Sequence, residues 1–106
     1  MIVKKKAKEV IVNYKDAVFT FKAPRGTKQI QISQYAVDRN VAGMSEIAMM
    51  LLTKVEGVKD EEGKDLKVSE LWEGGEIILD GNDLIKIFTE FANSLNPESE
   101  VEEKKS

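Results

Sequence analysis

The stretch EVIVNYKDAVFTF, residues 9–21, decides how the N-terminal part of the chain folds. β-Branched and aromatic residues alternate with other residues on both sides of Lys15 and Asp16, a polar pair suited to a turn. The pattern therefore predicts a β-hairpin. Because neighbouring strand residues point to opposite faces, Phe19 and Phe21 should share the face that packs on the rest of the protein.

Two further patterns follow the hairpin. The segment QIQI, residues 29–32, alternates again, which indicates either a short third strand or an extended lead-in, after which Ser33 can cap a helix. The helix is predicted by apolar residues at three- and four-residue steps. They are Val37, Val41, Met44, Ala48, Leu51 and Val55, with Ile47 and Leu52 widening the stripe. Residues 42–43 predict either a weak point in one long helix or a break into two, and Gly57 should end the pattern.

The C-terminal half combines a loop with shorter apolar segments. The charged residues 58–65 predict a loop, and residues 68–72 predict a short helical turn. The segment EIIL, residues 76–79, is compatible with a strand or with the start of a helix. Asp80 or Asn82 can then cap a final amphipathic helix. Its apolar stripe is formed by Leu84, Ile87, Phe88, Phe91 and Leu95.

Together these patterns predict an α+β fold in a single domain spanning residues 9–96. An antiparallel β-hairpin, with three strands if residues 29–32 join it, should pack on a bundle of two to four helices. Residues 1–8, which include four lysines, are expected to form a flexible basic arm. Residues 97–106 contain one apolar side chain among several glutamates and are expected to form a disordered acidic tail.

The composition excludes most kinds of catalytic site. The chain has 106 residues with no histidine and no cysteine, so it lacks the usual general base, the commonest metal ligand and any thiolate. No nucleotide-binding or EF-hand motif occurs. We therefore expect no enzymatic activity, no cofactor and no bound metal. The net charge of −3 argues against nucleic acid as a partner. No apolar run is long enough for a signal peptide or a membrane span.

The middle helix has the features most typical of a protein-binding surface. Methionine side chains are flexible and polarizable, and they suit surfaces that adapt to a partner. Met49 and Met50 flank the main stripe, so the apolar arc is wide enough for a second contact or for complete burial in the chain's own core. Trp72 is either a recognition anchor or the cover of a core edge. The predicted contact residues are Met44, Ile47, Met49 and Met50, with Phe88 and Phe91 as lesser candidates.

The order of these elements resembles the tail assembly chaperones of long-tailed bacteriophages, small proteins encoded just before the tape-measure gene. The resemblance covers roughly residues 9–97. It rests on the hairpin, the turn APRG at 23–26, the apolar helix ending LLTKVEGV at 51–58, the loop KDEEGK at 59–64, the segment VSELW at 68–72 and the helix with DLIKIF at 83–88.

The resemblance implies a non-enzymatic role in the cytoplasm of a bacterial host. Such a chaperone binds the long, helical, apolar tape-measure protein and keeps it soluble until tail tube subunits polymerise around it. In this family a programmed frameshift extends the short product, and residues 103–105, EKK, are encoded by purine-only codons whose choices include A-rich slippery heptamers.

Two other classes of protein remain open at the level of the sequence. One is a small regulatory or nucleic-acid-binding protein that uses the basic N-terminal arm. The other is a virion or scaffold subunit that self-associates into a homo-oligomer. Steep salt dependence of binding would mark the first, and association without any client would mark the second.

Overall fold

A computed structural model describes residues 1–95 of the chain. The α+β prediction is confirmed: within these residues a three-stranded antiparallel sheet lies against three α-helices. The elements in chain order are β1 (Glu9–Tyr14), β2 (Ala17–Lys22), α1 (Thr27–Asp38), α2 (Val41–Leu51), β3 (Leu52–Glu56), a 3₁₀ helix (Val68–Leu71), β4 (Trp72–Glu73), β5 (Glu76–Ile77) and α3 (Gly81–Ser94). The tail predicted at residues 97–106 lies outside the described residues.

The predicted hairpin is confirmed. β1 and β2 pair antiparallel in a continuous register that leaves Lys15 and Asp16 as a two-residue turn. Both residues have positive φ, 46° and 64°, which is the conformation of a type I′ turn and matches the twist of the flanking strands. Phe19 and Phe21 lie on the buried face of β2, as the alternation predicted.

The third strand of the sheet is β3, and the prediction of a strand at residues 29–32 is wrong. These residues lie in α1, which follows Gly26 and buries Ile32. The sheet order is β1-β2-β3, so β3 occupies the edge of β2 opposite β1. Four residues with alternating apolar side chains fit a helix as well as a strand, so the local pattern alone does not decide between them. Ser33 consequently lies inside α1 and caps no helix.

The chain breaks between α1 and α2 slightly before the predicted position at residues 42–43. Arg39 adopts the left-handed conformation with φ 56° and ends α1. The Asn40 side chain then accepts a 2.9 Å hydrogen bond from the Gly43 N–H and caps α2. Gly43 itself lies in the first turn of α2, where a Cβ atom would come within 2.7 Å of the Tyr35 ring. The glycine is therefore required by packing between the two helices.

α2 ends at Leu51, earlier than the end predicted at Gly57. The following residues, Leu52–Glu56, form β3 and pair antiparallel with β2. A register shift in this pairing lets both Leu52 and Val55 face the core, although two exposed residues separate them. This three-residue spacing continues the helical pattern of α2, and for that reason the predicted helix extended too far.

The charged segment at residues 58–65 forms the predicted loop. Asp60 Oδ1 accepts hydrogen bonds of 2.9 Å from the N–H groups of Glu62 and Lys64, so this carboxylate stabilises its own turn. The short helical turn predicted next is confirmed as the 3₁₀ helix Val68–Leu71.

The final helix begins where it was predicted and completes the core. Asp80 Oδ2 accepts a 3.0 Å hydrogen bond from the Asn82 N–H, which caps α3. The Phe21 ring lies 4.5 Å from the Phe91 ring and 6.4 Å from the Phe88 ring, measured between centroids. All three rings are at most 1% exposed. The core therefore joins the middle strand of the sheet to the last helix.

Candidate binding groove

The six predicted contact residues comprise one exposed side chain and five buried ones. Met50 is 68% exposed. The other five are at most 8% exposed in the folded chain: Met44, Ile47, Met49, Phe88 and Phe91. These five side chains pack in the chain's own core, which is the alternative that the sequence left open. Of the predicted contact residues, only Met50 is therefore accessible to a partner in the folded chain.

The position of α2 explains why its apolar arc is so wide. α2 packs against α1, α3 and β2, so it has neighbours on three sides. A helix in such a position needs apolar residues around most of its circumference. Successive helical residues are rotated by about 100°, which carries Met50 out to solvent next to the buried Met49.

A small β-ribbon follows the 3₁₀ helix. β4 and β5 pair through a turn at Gly74 and Gly75, whose φ values of 59° and 83° fit the type I′ conformation. The ambiguous segment at residues 76–79 therefore begins as a strand. Trp72 lies directly opposite Ile77, so the two side chains share one face of the ribbon.

An open groove of about 530 Å³ lies between the exposed side of α2 and this ribbon. Met50 and Trp72 form its exposed apolar walls, and Trp72 is 37% exposed. The residues that line the groove are Glu46, Met49, Met50, Trp72, Gly75 and Ile77. Trp72 is therefore available to a partner, as the recognition-anchor alternative requires.

The lining of the groove is mostly apolar. One carboxylate, that of Glu46, stands among apolar side chains. Across residues 1–95, no three acidic side chains gather closely enough to hold a metal ion. A concave apolar surface of this kind accepts apolar side chains of a ligand or another protein.

Sequence reasoning found Met50 and Trp72 but did not place them together. Gly75 and Ile77 were not predicted to belong to a site. A Gly-Gly pair between two short apolar segments is a hairpin signal, and it could have predicted the ribbon that places Trp72 opposite Ile77. No local pattern could have placed this ribbon beside α2.

A polar cluster outside the groove joins the hairpin turn to α3. Asp83 Oδ1 accepts hydrogen bonds from the Tyr14 hydroxyl at 2.6 Å and from Lys15 Nζ at 3.2 Å. These two bonds lower the pKa of Asp83, and the bond to Asp83 raises the pKa of Tyr14. Asp83 also lies in the first turn of α3, where a negative charge is favoured by the helix dipole. The cluster therefore joins the end of β1 to the start of α3.

Comparison of the chain with protein-family models, with curated proteins and with solved structures finds no match. None of the helices formed by residues 1–95 combines the length and the hydropathy needed to cross a bilayer.

Proposed function

We propose that this chain is a non-enzymatic bacteriophage tail assembly chaperone that holds an apolar helical segment of the tape-measure protein. The observation that carries the proposal is the groove lined by exposed Met50 and exposed Trp72. The order of elements along the chain, which resembles that family, supports the same assignment. The tail tube subunits are later partners, and the host cytoplasm is the site of action.

Capture of a helix in a groove explains the residue types. A helix presents apolar side chains at positions i, i+3, i+4 and i+7, and a groove binds it through a few such anchors. Met50 adapts its rotamer to anchors of different shape, whereas Trp72 supplies a large and rigid apolar surface. A chaperone for a long protein must bind many related segments, and this combination tolerates variation in sequence.

The size of the groove favours reversible binding. Covering the exposed parts of Met50 and Trp72 contributes roughly 2–4 kcal/mol, before the loss of translational and rotational freedom is subtracted. Such a site releases its client when tube subunits compete for the same helix. Several copies along one tape-measure protein would supply the combined affinity that one groove lacks.

The test is co-expression of the chain with segments of the proposed client, the tape-measure protein. The measured quantities are the soluble fraction of the segment and its dissociation constant by titration calorimetry. Met50→Glu places a charge in the groove and should weaken binding at least about tenfold. Ile85→Glu is the matched control, because Ile85 is an apolar residue 46% exposed on α3.

Each outcome discriminates between the possible roles. Binding that is lost in Met50→Glu and retained in Ile85→Glu supports the groove as the client site. Binding retained in both variants would exclude the groove but keep the chaperone function. Failure of the wild-type chain to bind or solubilise any segment would contradict the proposed function itself.

A further inference from the structure

The outer edge of β1 is the most distinctive surface that the proposed function does not use. β2 is the central strand, so β1 has a pairing strand on one side only. The pairing continues one residue before β1, where the Ala23 N–H donates a 2.7 Å hydrogen bond to the Lys8 carbonyl. Because backbone groups alternate sides along an antiparallel strand, Glu9, Ile11 and Asn13 turn their N–H and C=O groups away from β2.

This edge is accessible. Glu9, Ile11 and Asn13 are all exposed, and Ile11 is 57% exposed. Within residues 1–95, the hydrogen bonds formed outside regular helices and strands do not involve the backbone groups of these three residues. An edge strand that has neither proline nor bulge, and that carries an exposed β-branched residue, is a ready template for another strand.

We propose that β1 pairs antiparallel with β1 of a second copy of this chain, about a two-fold axis through Ile11. The two sheets then form one continuous sheet of six strands. Residues with outward-facing backbone groups must lie opposite each other in such a pairing, and Ile11 opposite the second copy's Ile11 meets this condition. The contact buries an exposed isoleucine from each copy, which is the self-complementary arrangement that a two-fold interface requires.

The charges along the edge are compatible with this register. Glu9 lies opposite the second copy's Asn13, and Lys8 lies opposite the second copy's Tyr14, so no like charges face each other. Moving the register by two residues would instead place Ile11 opposite Asn13 and leave the isoleucine beside an amide. The proposed register is therefore the one that places the two Ile11 side chains opposite each other.

A hollow beside the edge provides space for the second strand. It has a volume of about 310 Å³ and lies between β1 and α3, lined by Asn13, Tyr14, Lys86, Thr89 and Glu90. In the proposed register the core-facing residues of the added strand, Val10 and Lys8, lie on this side of the sheet. Glu90 takes part in no ion pair within the described residues and offers a carboxylate to that lysine.

The test measures the association of the full chain by sedimentation equilibrium at concentrations up to about 1 mM. We expect a wild-type dimer. Ile11→Lys and Ile11→Glu each place like charges opposite one another at the axis and should weaken the dimer about 10- to 100-fold. An equimolar mixture of the two variants should associate again, because each lysine then faces a glutamate.

Two further variants separate the interface from general effects on folding. Ile78→Lys changes another apolar residue, which is 47% exposed and is not part of β1, and should leave the dimer intact. Asn13→Pro removes an outward N–H without removing a bond of the β1–β2 ladder, so it should dissociate the dimer with an unchanged far-ultraviolet circular dichroism spectrum. A monomeric wild type would overturn the proposal. So would a dimer that is not weakened by Ile11→Lys or Ile11→Glu, or an equimolar mixture of these two variants that stays monomeric.

Discussion

The Tyr14 hydroxyl donates a 2.6 Å hydrogen bond to Asp83 Oδ1 and so joins the end of β1 to the first turn of α3, 69 positions later in the chain. Lys15 Nζ approaches the same oxygen at 3.2 Å. The hairpin and the last helix are therefore held together both by the aromatic core and by this partly buried polar contact.

Tyr14→Phe removes the donor without changing the ring, so it tests the contribution of this contact. We expect a lower midpoint of urea unfolding, because Asp83 loses a hydrogen bond that stabilises its charge. Tyr35→Phe is the control, since the Tyr35 hydroxyl takes part in no hydrogen bond among residues 1–95. Equal midpoints for the two variants would show that the contact contributes nothing to stability.

The same carboxylate predicts a dependence of stability on pH. The hydrogen bonds from Tyr14 and Lys15 lower the pKa of Asp83 below its ordinary value of 3.8. A group whose pKa is lower in the folded state contributes stability above its unfolded-state pKa and loses it as the pH falls through the folded-state pKa. The difference in unfolding free energy between wild type and Asp83→Asn should be constant above about pH 5 and shrink in more acidic solution. A difference that does not change with pH would contradict this coupling.

Gly57 and Gly63 form a matched pair that separates backbone strain from close packing. Both have positive φ, 81° and 83°. A Cβ atom at Gly57 would lie 2.5 Å from the Asp16 carbonyl oxygen, whereas nothing lies within 4 Å of a Cβ at Gly63. Gly63→Ala should cost about 1–2 kcal/mol of unfolding free energy, and Gly57→Ala roughly 1–3 kcal/mol more. Urea denaturation measures both, and equal losses would mean that the turn at Asp16 moves aside freely.

The close approach of Gly43 to Tyr35 predicts that alanine at position 43 changes the stability in the direction opposite to the usual one. Alanine in place of a helical glycine ordinarily stabilises by about 1 kcal/mol. Gly43→Ala should instead destabilise the protein, because its Cβ atom would meet the Tyr35 ring at 2.7 Å. When Tyr35 is replaced by alanine, the ring is absent, and Gly43→Ala should then stabilise the protein as it does in an ordinary helix. Thermal unfolding of the four proteins completes the cycle, and additive effects would exclude the predicted clash.

Trp72, the only tryptophan in the chain, provides a direct signal for occupancy of the groove. An apolar helix that covers its exposed surface should shift its fluorescence emission to shorter wavelength, because water leaves the indole. Met50→Glu should abolish the shift at the same client concentration, whereas Ile85→Glu should preserve it. A client that binds without any spectral change would occupy another surface.

Local patterns were sufficient to predict some elements of this fold. The hairpin at residues 9–21 and the helix that follows Asp80 were predictable, because strand alternation, turn residues and caps act within a few positions of one another. Leu52–Glu56 was not, because its apolar spacing continues that of α2. Its strand conformation depends on the vacant edge of β2, more than thirty residues earlier in the chain.

For the candidate site, too, the residue types could be predicted from the sequence, whereas their exposure and mutual position could not. The sequence identified Met50 and Trp72 as side chains suited to recognition. It could not show that Met49 is buried while Met50 is exposed, because that difference depends on the neighbours of α2. The groove forms only when the β4–β5 ribbon lies beside α2, and this arrangement is decided by tertiary packing.

The position of Phe88 and Phe91 in the last helix has a consequence for synthesis of the protein on the ribosome. The N-terminal hairpin can form early, but the inward face of β2 lacks its covering rings until residue 91 has emerged. Until α3 has emerged, Phe21 therefore has no completed core to enter. A chain that stalls before α3 would expose an aromatic, aggregation-prone surface on β2. Prompt synthesis of α3 therefore protects the nascent chain from aggregation.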